Sequence, residues 1–149
     1  MKNTCLPREL LQRCGDKASR NRTLVLDVLT KSSGALSPVD ILSLLRREHS
    51  FDKVTLYRTL DYLAKKEILR RIPTLRGAVL YEVACEKHNP RHVHFYCRDC
   101  GRMKCLLDHE INAVLGRIQK KYLKAGEEAE LKVEGLCEKC ERQHQRRKG

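Results

Sequence analysis

The sequence contains no tryptophan, and aromatic residues make up only 5% of its 149 positions. Proteins that read single-stranded RNA stack bases on aromatic side chains. A zinc-stabilised RNA-binding module is therefore disfavoured and stands only as the alternative from another class. No run of about 18 apolar residues occurs, which excludes a membrane-spanning helix. Residues 1–9 are polar and lack the apolar centre of a secretion signal. The expectation is a soluble, cytoplasmic protein with no membrane partner. Two zinc-enzyme patterns are also missing. There is no H-E-x-x-H. The deaminase pattern fails because His92 is followed by Val93-His94 and Tyr96, not proline, precedes Cys97. No catalytic residue is assigned, no internal repeat is found, and an enzyme is not expected.

Positive charge is in excess. With 31 Lys+Arg against 19 Asp+Glu, the formal net charge is +12. A basic surplus of this size favours contact with a polyanion, because Lys and Arg displace counterions condensed on phosphates. The hydrophobic content of 41% is enough for a globular core. The length suits one ordinary domain or two small ones. In a reducing cytosol the eight cysteines are not expected to form disulfides, so their spacing is a question about metal.

The first half reads as helical. A short helix is predicted over 6–14, and a second over 20–30, capped by Ser19, with Leu24, Val25, Val28 and Leu29 on one face. Ser37-Pro38 opens a third, running to 47 with Ile41, Leu42, Leu44 and Leu45 apolar. A fourth spans 53–66 with Leu56, Leu60, Leu63 and Ala64 inward and Thr55, Tyr57, Arg58 and Asp61 largely off that stripe. The period then changes. Strands at 69–73 and 78–83 flank a turn ending in Gly77. Helices followed by a two-stranded hairpin are the order of a winged helix-turn-helix, which places its last helix in the major groove. Tyr57 and Arg58 are then either DNA contacts or an ordinary solvated helix face.

Residues 84–91 read as a linker. Strands at 92–96 and 103–107 follow, then a helix capped by Asp108 with Ile111, Val114, Leu115, Ile118 and Tyr122 on one face. That stripe serves either a dimer interface or an intrachain core. A strand at 132–136 leads to the last cysteines, and the charged tail is expected to be disordered. The fold class is α+β: a winged helix-turn-helix over 1–84, a hinge at 85–91, a C-terminal α/β domain with a four-cysteine zinc site over 92–141, and a basic tail at 142–149.

Two C-x-x-C pairs, Cys97/Cys100 and Cys137/Cys140, are separated by 36 intervening residues. Each spacing lets one turn offer two thiolates, and two such turns complete a tetrahedral zinc site. A thioredoxin-like redox motif is the rival for one pair alone, but it explains two pairs poorly. A second group comprises Cys85, His88, His92, His94 and Cys105. His92 and His94, two apart on a strand, point to the same face, and Cys97 has the opposite parity. This separates a second metal site from the first. The competing readings are a solvated loop position for His88 and small buried hydrophobes for Cys85 and Cys105.

From about Leu10 to Cys140 the chain resembles the ferric uptake regulator (Fur) family. The resemblance is carried by Arg22 with Val25-Leu26, by 54–60 (VTLYRTL), by 92–101 (HVHFYCRDCG) and by 135–140 (GLCEKC). It implies a dimeric, metal-responsive bacterial transcription repressor acting on double-stranded operator DNA, with 92–141 as the dimerisation and metal-binding domain. It assigns structural zinc to Cys97, Cys100, Cys137 and Cys140. Glu82 resembles the family's hinge glutamate, His92 and His94 its paired histidines, and Cys85 the hinge cysteine of the zinc-sensing branch.

Cys105 stands where iron sensors carry glutamate, and the histidine that iron sensors supply before the third helix is missing from 34–37. Thiolate donors suit Zn(II) better than a reversible Fe(II) site. The regulatory metal is thus expected to be Zn(II), with Fe(II) as the alternative. Its ligands are drawn from Cys85, His92, His94, Cys105 and Glu82, with Glu82, Cys105 and His88 competing for the fourth position. The peroxide-sensing branch, which relies on carboxylates beside histidines, is disfavoured by Cys105. A third site known in some members is expected to be absent, since Arg91, Val93 and Ala129 occupy its positions. For DNA, Tyr57 is expected to make an apolar base contact, Arg58 a phosphate or base-edge contact, and Lys17 a backbone or minor-groove contact, with Thr55 on the same recognition helix.

Overall fold

The computed structural model describes residues 5–127 and 129–149. Residues 1–4, part of the polar opening stretch, lie outside the described residues. The fold is α+β, and the chain forms two compact units. The first comprises residues up to Pro73 together with Gly77–Pro90; the second comprises Thr74–Arg76 and Arg91–Gly149. Among the described residues, no helix is long and apolar enough to cross a membrane.

The first unit contains α1 (Pro7–Arg13), α2 (Arg20–Lys31), α3 (Pro38–Leu45), α4 (Lys53–Lys65), β1 (Leu69–Pro73) and β2 (Val79–Val83). Side chains satisfy the orphan N–H groups at three of the helix starts. Ser19 accepts from the Arg22 N–H and Asp52 from the Thr55 N–H. Ser37 and Asp40 form a reciprocal capping box in which each side chain bonds the other's backbone, and Pro38 presets the first helical φ. The inward faces of these helices build one core, with Leu11, Val25, Leu26, Ile41, Leu56, Leu60 and Leu63 fully enclosed. Truncating any one of these leucines to alanine should cost about 2–5 kcal/mol. β1 and β2 pair antiparallel from Leu69 opposite Val83 to Pro73 opposite Val79. Gly77, at φ 81°, supplies the left-handed residue of the connecting turn.

Residues 85–90, read from the sequence as the greater part of a linker, are folded into the first unit. Their polar groups are used locally: Asn89 N–H bonds Cys85 O at 2.7 Å, and the Asn89 side chain donates to Val83 O at 2.8 Å. A stretch rich in charge and ending in Asn-Pro looked like a connector; its backbone instead closes a turn on the end of β2.

The second unit contains β3 (Val93–Cys97), β4 (Met103–Leu106), α5 (His109–Tyr122), β5 (Lys132–Gly135) and α6 (Glu138–Lys148). The sheet order is β4-β3-β5, with β3–β4 antiparallel and β3–β5 parallel, so α5 lies on the crossover returning the chain to β5. Asp108 caps α5. The tail expected to be disordered is the body of α6. Cys137 occupies its N-cap position, Glu138 and Glu141 lie in the first turn, and Arg146, Arg147 and Lys148 lie in the last. Those charges complement the helix dipole at both ends, and Glu138–Arg142 adds an i,i+4 pair. A dense charge run suggests disorder, whereas the order of these charges along the helix favours helicity.

Candidate metal centres and DNA-binding face

Cys97, Cys100, Cys137 and Cys140 present four sulfur atoms within 4.8 Å of one another. Cys97 ends β3, and Cys100 sits in the turn that follows. Gly101 N–H bonds back to Cys97 O at 2.9 Å, with Gly101 at φ 71°. Arg98 N–H bonds Gly135 O at 2.8 Å, which brings the β5 end and its cysteines alongside. Cys137 and Cys140 are then offered by the first turn of α6.

Backbone donors already favour thiolates here. The N–H groups of Cys100 and Cys137 bring Cys97 down to about 6, the latter bond measuring 3.3 Å. The Cys140 N–H lowers Cys137. Burial and the Asp99 carboxylate raise Cys140, which therefore holds its proton until a cation arrives. Four convergent sulfurs with no nitrogen or oxygen donor suit a closed, tetrahedral zinc site.

A second group lies on the same sheet. The donor atoms of His92, His94 and Cys105 lie within 4.8 Å of one another. His94 is directly opposite Cys105 in the β3–β4 register. His92 precedes the strand, and its ring lies 4.6 Å from that of His94, tilted by 60°. His92 is buried, and His94 and Cys105 are half-buried. Two imidazoles and one thiolate make a borderline-soft set that Zn(II) accepts readily.

Glu82 belongs to the first unit and is 4% exposed. It sits opposite Arg70 in the hairpin register, and Arg70 Nη1 reaches its Oε1 at 3.1 Å. The same guanidinium holds Asn89 O at 2.7 Å, tying the carboxylate to the closing turn of that unit. Sequence reasoning missed Arg70, although the hairpin register alone places it across from Glu82.

Cys85 is grouped differently from the sequence expectation. It stands with Cys5 and His88 within the first unit. Cys5 Sγ donates to Cys85 Sγ at 2.9 Å, and His88 Nδ1 lies 2.9 Å from Cys5 Sγ and 3.5 Å from Cys85 Sγ. The reason is local: the 85–89 turn directs Cys85 and His88 toward the segment preceding α1. His88 is accordingly not a solvated loop residue. Burial opposes ionisation of Cys85, but the Cys5 thiol, the His88 backbone N–H and Arg13 outweigh it and bring Cys85 to about 6. Burial, together with Cys85 itself, pushes Cys5 up to about 12. Cys5 had no sequence signal, since 80 residues separate it from Cys85; the C-x-x-H spacing of Cys85 and His88 was the only trace.

On α4, Tyr57 is 45% exposed and Arg58 is exposed, off the buried stripe of Leu56 and Leu60. Lys17 is exposed before α2. Thr55 is half-buried, with both its N–H and hydroxyl on Asp52, so its side chain is engaged in capping the helix. Arg22 stacks over the Tyr62 ring at 3.9 Å and lies 3.6 Å from Asp16, which accepts the Tyr62 hydroxyl at 2.6 Å. That network joins α2 to α4, the helix that carries Tyr57 and Arg58.

The family model described as "Ferric uptake regulator family" matches residues 13–134. The chain belongs to this family. Fur-family proteins are metal-dependent, DNA-binding transcription regulators. This Fur-family chain is 28% identical over 132 residues to the ferric uptake regulation protein of Helicobacter pylori, covering 88% of this chain and 86% of that one. It is also 25% identical over 127 residues to the zinc uptake regulation protein of Mycobacterium tuberculosis, covering 85% and 95%. The solved structure of the Helicobacter pylori regulator matches with a TM-score of 0.73 at 27% identity, covering 95% of this chain and 97% of that one.

Proposed function

We propose that this Fur-family regulator is a homodimeric, zinc-responsive repressor that binds double-stranded operator DNA when its regulatory site is filled. The observation carrying the zinc reading is Cys105 facing His94, a thiolate among imidazoles. With Cys85 in another group, the preference for zinc rests on this one sulfur. Glu82 is the donor assigned from the first unit; its oxygen is the feature that would suit Fe(II), the alternative metal. The chain's relatives include proteins named for iron and for zinc.

Structural zinc at the four cysteines holds the second unit together, and the regulatory ion biases the population able to bind DNA. Moving that population from 1% to 99% needs a differential affinity of about 5.5 kcal/mol, a scale that several coordinate bonds can supply. Dimerisation is proposed through the second unit. Of the apolar positions on α5 only Leu115 is buried, while Val114 and Tyr122 are exposed, as is Val133 on the edge strand β5. The two Tyr57/Arg58 faces of a dimer would then meet half-sites about one helical turn apart.

The test is fluorescence anisotropy on operator DNA after chelation, with Zn(II), Fe(II), Mn(II) and Ni(II) restored separately. Zinc restoring binding at the lowest free concentration is the expected result. Restoration by Fe(II) alone would replace zinc with iron, and equal affinity with and without every metal would overturn the sensor reading.

A further inference from the structure

The first unit carries a donor cluster that neither the four-cysteine site nor the His92–His94–Cys105 group uses. Cys5 is 3% and Cys85 2% exposed, and both belong to the apolar core built around Leu10 and Leu11. Buried cysteines often serve only as small hydrophobes. Here, however, the two sulfurs meet at 2.9 Å, and a ring nitrogen of His88 lies within 3.5 Å of both. Arg13 adds a guanidinium 3.7 Å from Cys85 Sγ, a cation beside the pair. The pairing joins positions 80 residues apart, so it fastens the segment entering α1 to the turn after β2.

We propose that Cys5, Cys85 and His88 form a further metal site that takes a thiolate-preferring divalent ion of the zinc class and clamps the start of the first unit to the end of its hairpin. Two thiolates and one neutral imidazole balance the charge of a divalent ion and form a donor set that zinc accepts. With Zn–S near 2.3 Å and Zn–N near 2.0–2.1 Å, donors around a tetrahedral ion stand about 3.5–3.8 Å apart. Cys85 and His88 are already at 3.5 Å, and Cys5 needs to retreat by less than ~1 Å to admit the ion. Three protein donors leave the fourth position to water. The ion displaces a proton from each sulfur still protonated, and no oxidation is involved.

The site is independent of the regulatory metal and is tested apart from it. Full-length reduced protein is titrated with Zn(II) against a chromophoric chelator, and bound zinc is counted by elemental mass spectrometry. In a His92→Ala/His94→Ala background, adding Cys5→Ser should lower the count by one zinc per chain, and His88→Gln should do the same. His88→Gln alters only a half-buried turn residue and decides the matter if Cys5→Ser fails to fold. With Co(II) as probe, the thiolate-to-metal absorption should fall with Cys5→Ser. An unchanged zinc count in both variants would overturn the proposal. So would a Cys5–Cys85 disulfide that persists in the zinc-loaded, reduced protein, because it would show the sulfurs to be a redox pair.

Discussion

His94 and Cys105 face each other directly across the β3–β4 pair. Residues opposite one another on antiparallel strands project to the same face, with Cβ atoms about 4.5–5.5 Å apart. The hairpin thus presents one nitrogen and one sulfur donor as a consequence of register. Replacing His94 by alanine should weaken the regulatory metal by more than the ~10–100-fold typical of losing an outer-shell partner. The measured zinc content should fall by one ion per chain while the four-cysteine site keeps its own. Cys105→Asp should shift the metal preference toward Fe(II) or Mn(II), read as a change in which ion restores DNA binding after chelation.

Arg70 and Glu82 make a second cross-strand pair, buried and charged, with side chains 15% and 5% exposed. Arg70→Met removes the guanidinium shared by the buried Glu82 carboxylate and Asn89 O, so it should destabilise the protein by about 3–5 kcal/mol. The double variant Arg70→Met/Glu82→Leu should recover most of that loss, because an apolar pair of similar volume has no charge to desolvate. Denaturant unfolding of the zinc-loaded protein checks both. The double variant should nevertheless lose the metal dependence of DNA binding if Glu82 is a regulatory ligand.

These two pairs show what the sequence could and could not reveal. The four-cysteine cluster was legible because C-x-x-C spacing is a local property of one turn, and two copies imply one ion. The helices of the first unit were legible from caps and periodicity: Ser19 and Ser37 start their helices where expected. The grouping of Cys85 with Cys5 and His88 was not legible because it is decided by the 85–89 turn, whose Asn89 bonds carry no periodic signal. Cys5 was invisible because only the folded first unit brings it to Cys85. α6 was obscured because the same charges can signal solvated coil or a dipole-matched helix, and Cys137 at its N-cap position makes no side-chain capping bond that would mark the start.

The exposed face of α4 separates DNA contacts from support. Tyr57→Ala and Arg58→Ala remove exposed side chains and should change folding stability by no more than ~0.5 kcal/mol. Each should weaken operator binding by about 1–3 kcal/mol if it reaches a base edge. If Arg58 instead neutralises a phosphate, its loss should also reduce the salt slope by about 1. Thr55→Val should act differently: it breaks the hydroxyl bond to Asp52 and should lower helix stability before it alters sequence preference. Anisotropy titrations at several salt concentrations, beside denaturant unfolding, distinguish the two classes.

Zinc loading of the four-cysteine site should release fewer than four protons at pH 7.5. A thiol whose pKa is lowered in the metal-free fold is already ionised and has no proton to give. Cys97, brought to about 6 by the Cys100 and Cys137 N–H groups, meets that condition, and Cys137 is lowered in the same direction. Cys140 is raised by burial and Asp99, so it surrenders a full proton to the metal. As pH falls through about 6 the number released should rise, since Cys97 then binds a proton that zinc must displace. Apparent zinc affinity should fall over the same range. Calorimetry in buffers of different ionisation enthalpy counts the protons. Asp99→Asn removes only the second cause raising Cys140; burial remains, so Cys140 should still surrender its proton and the count at pH 7.5 should hold. A release of four protons independent of pH between 6 and 8 would show that the backbone N–H groups do not hold Cys97 as a thiolate before the ion binds.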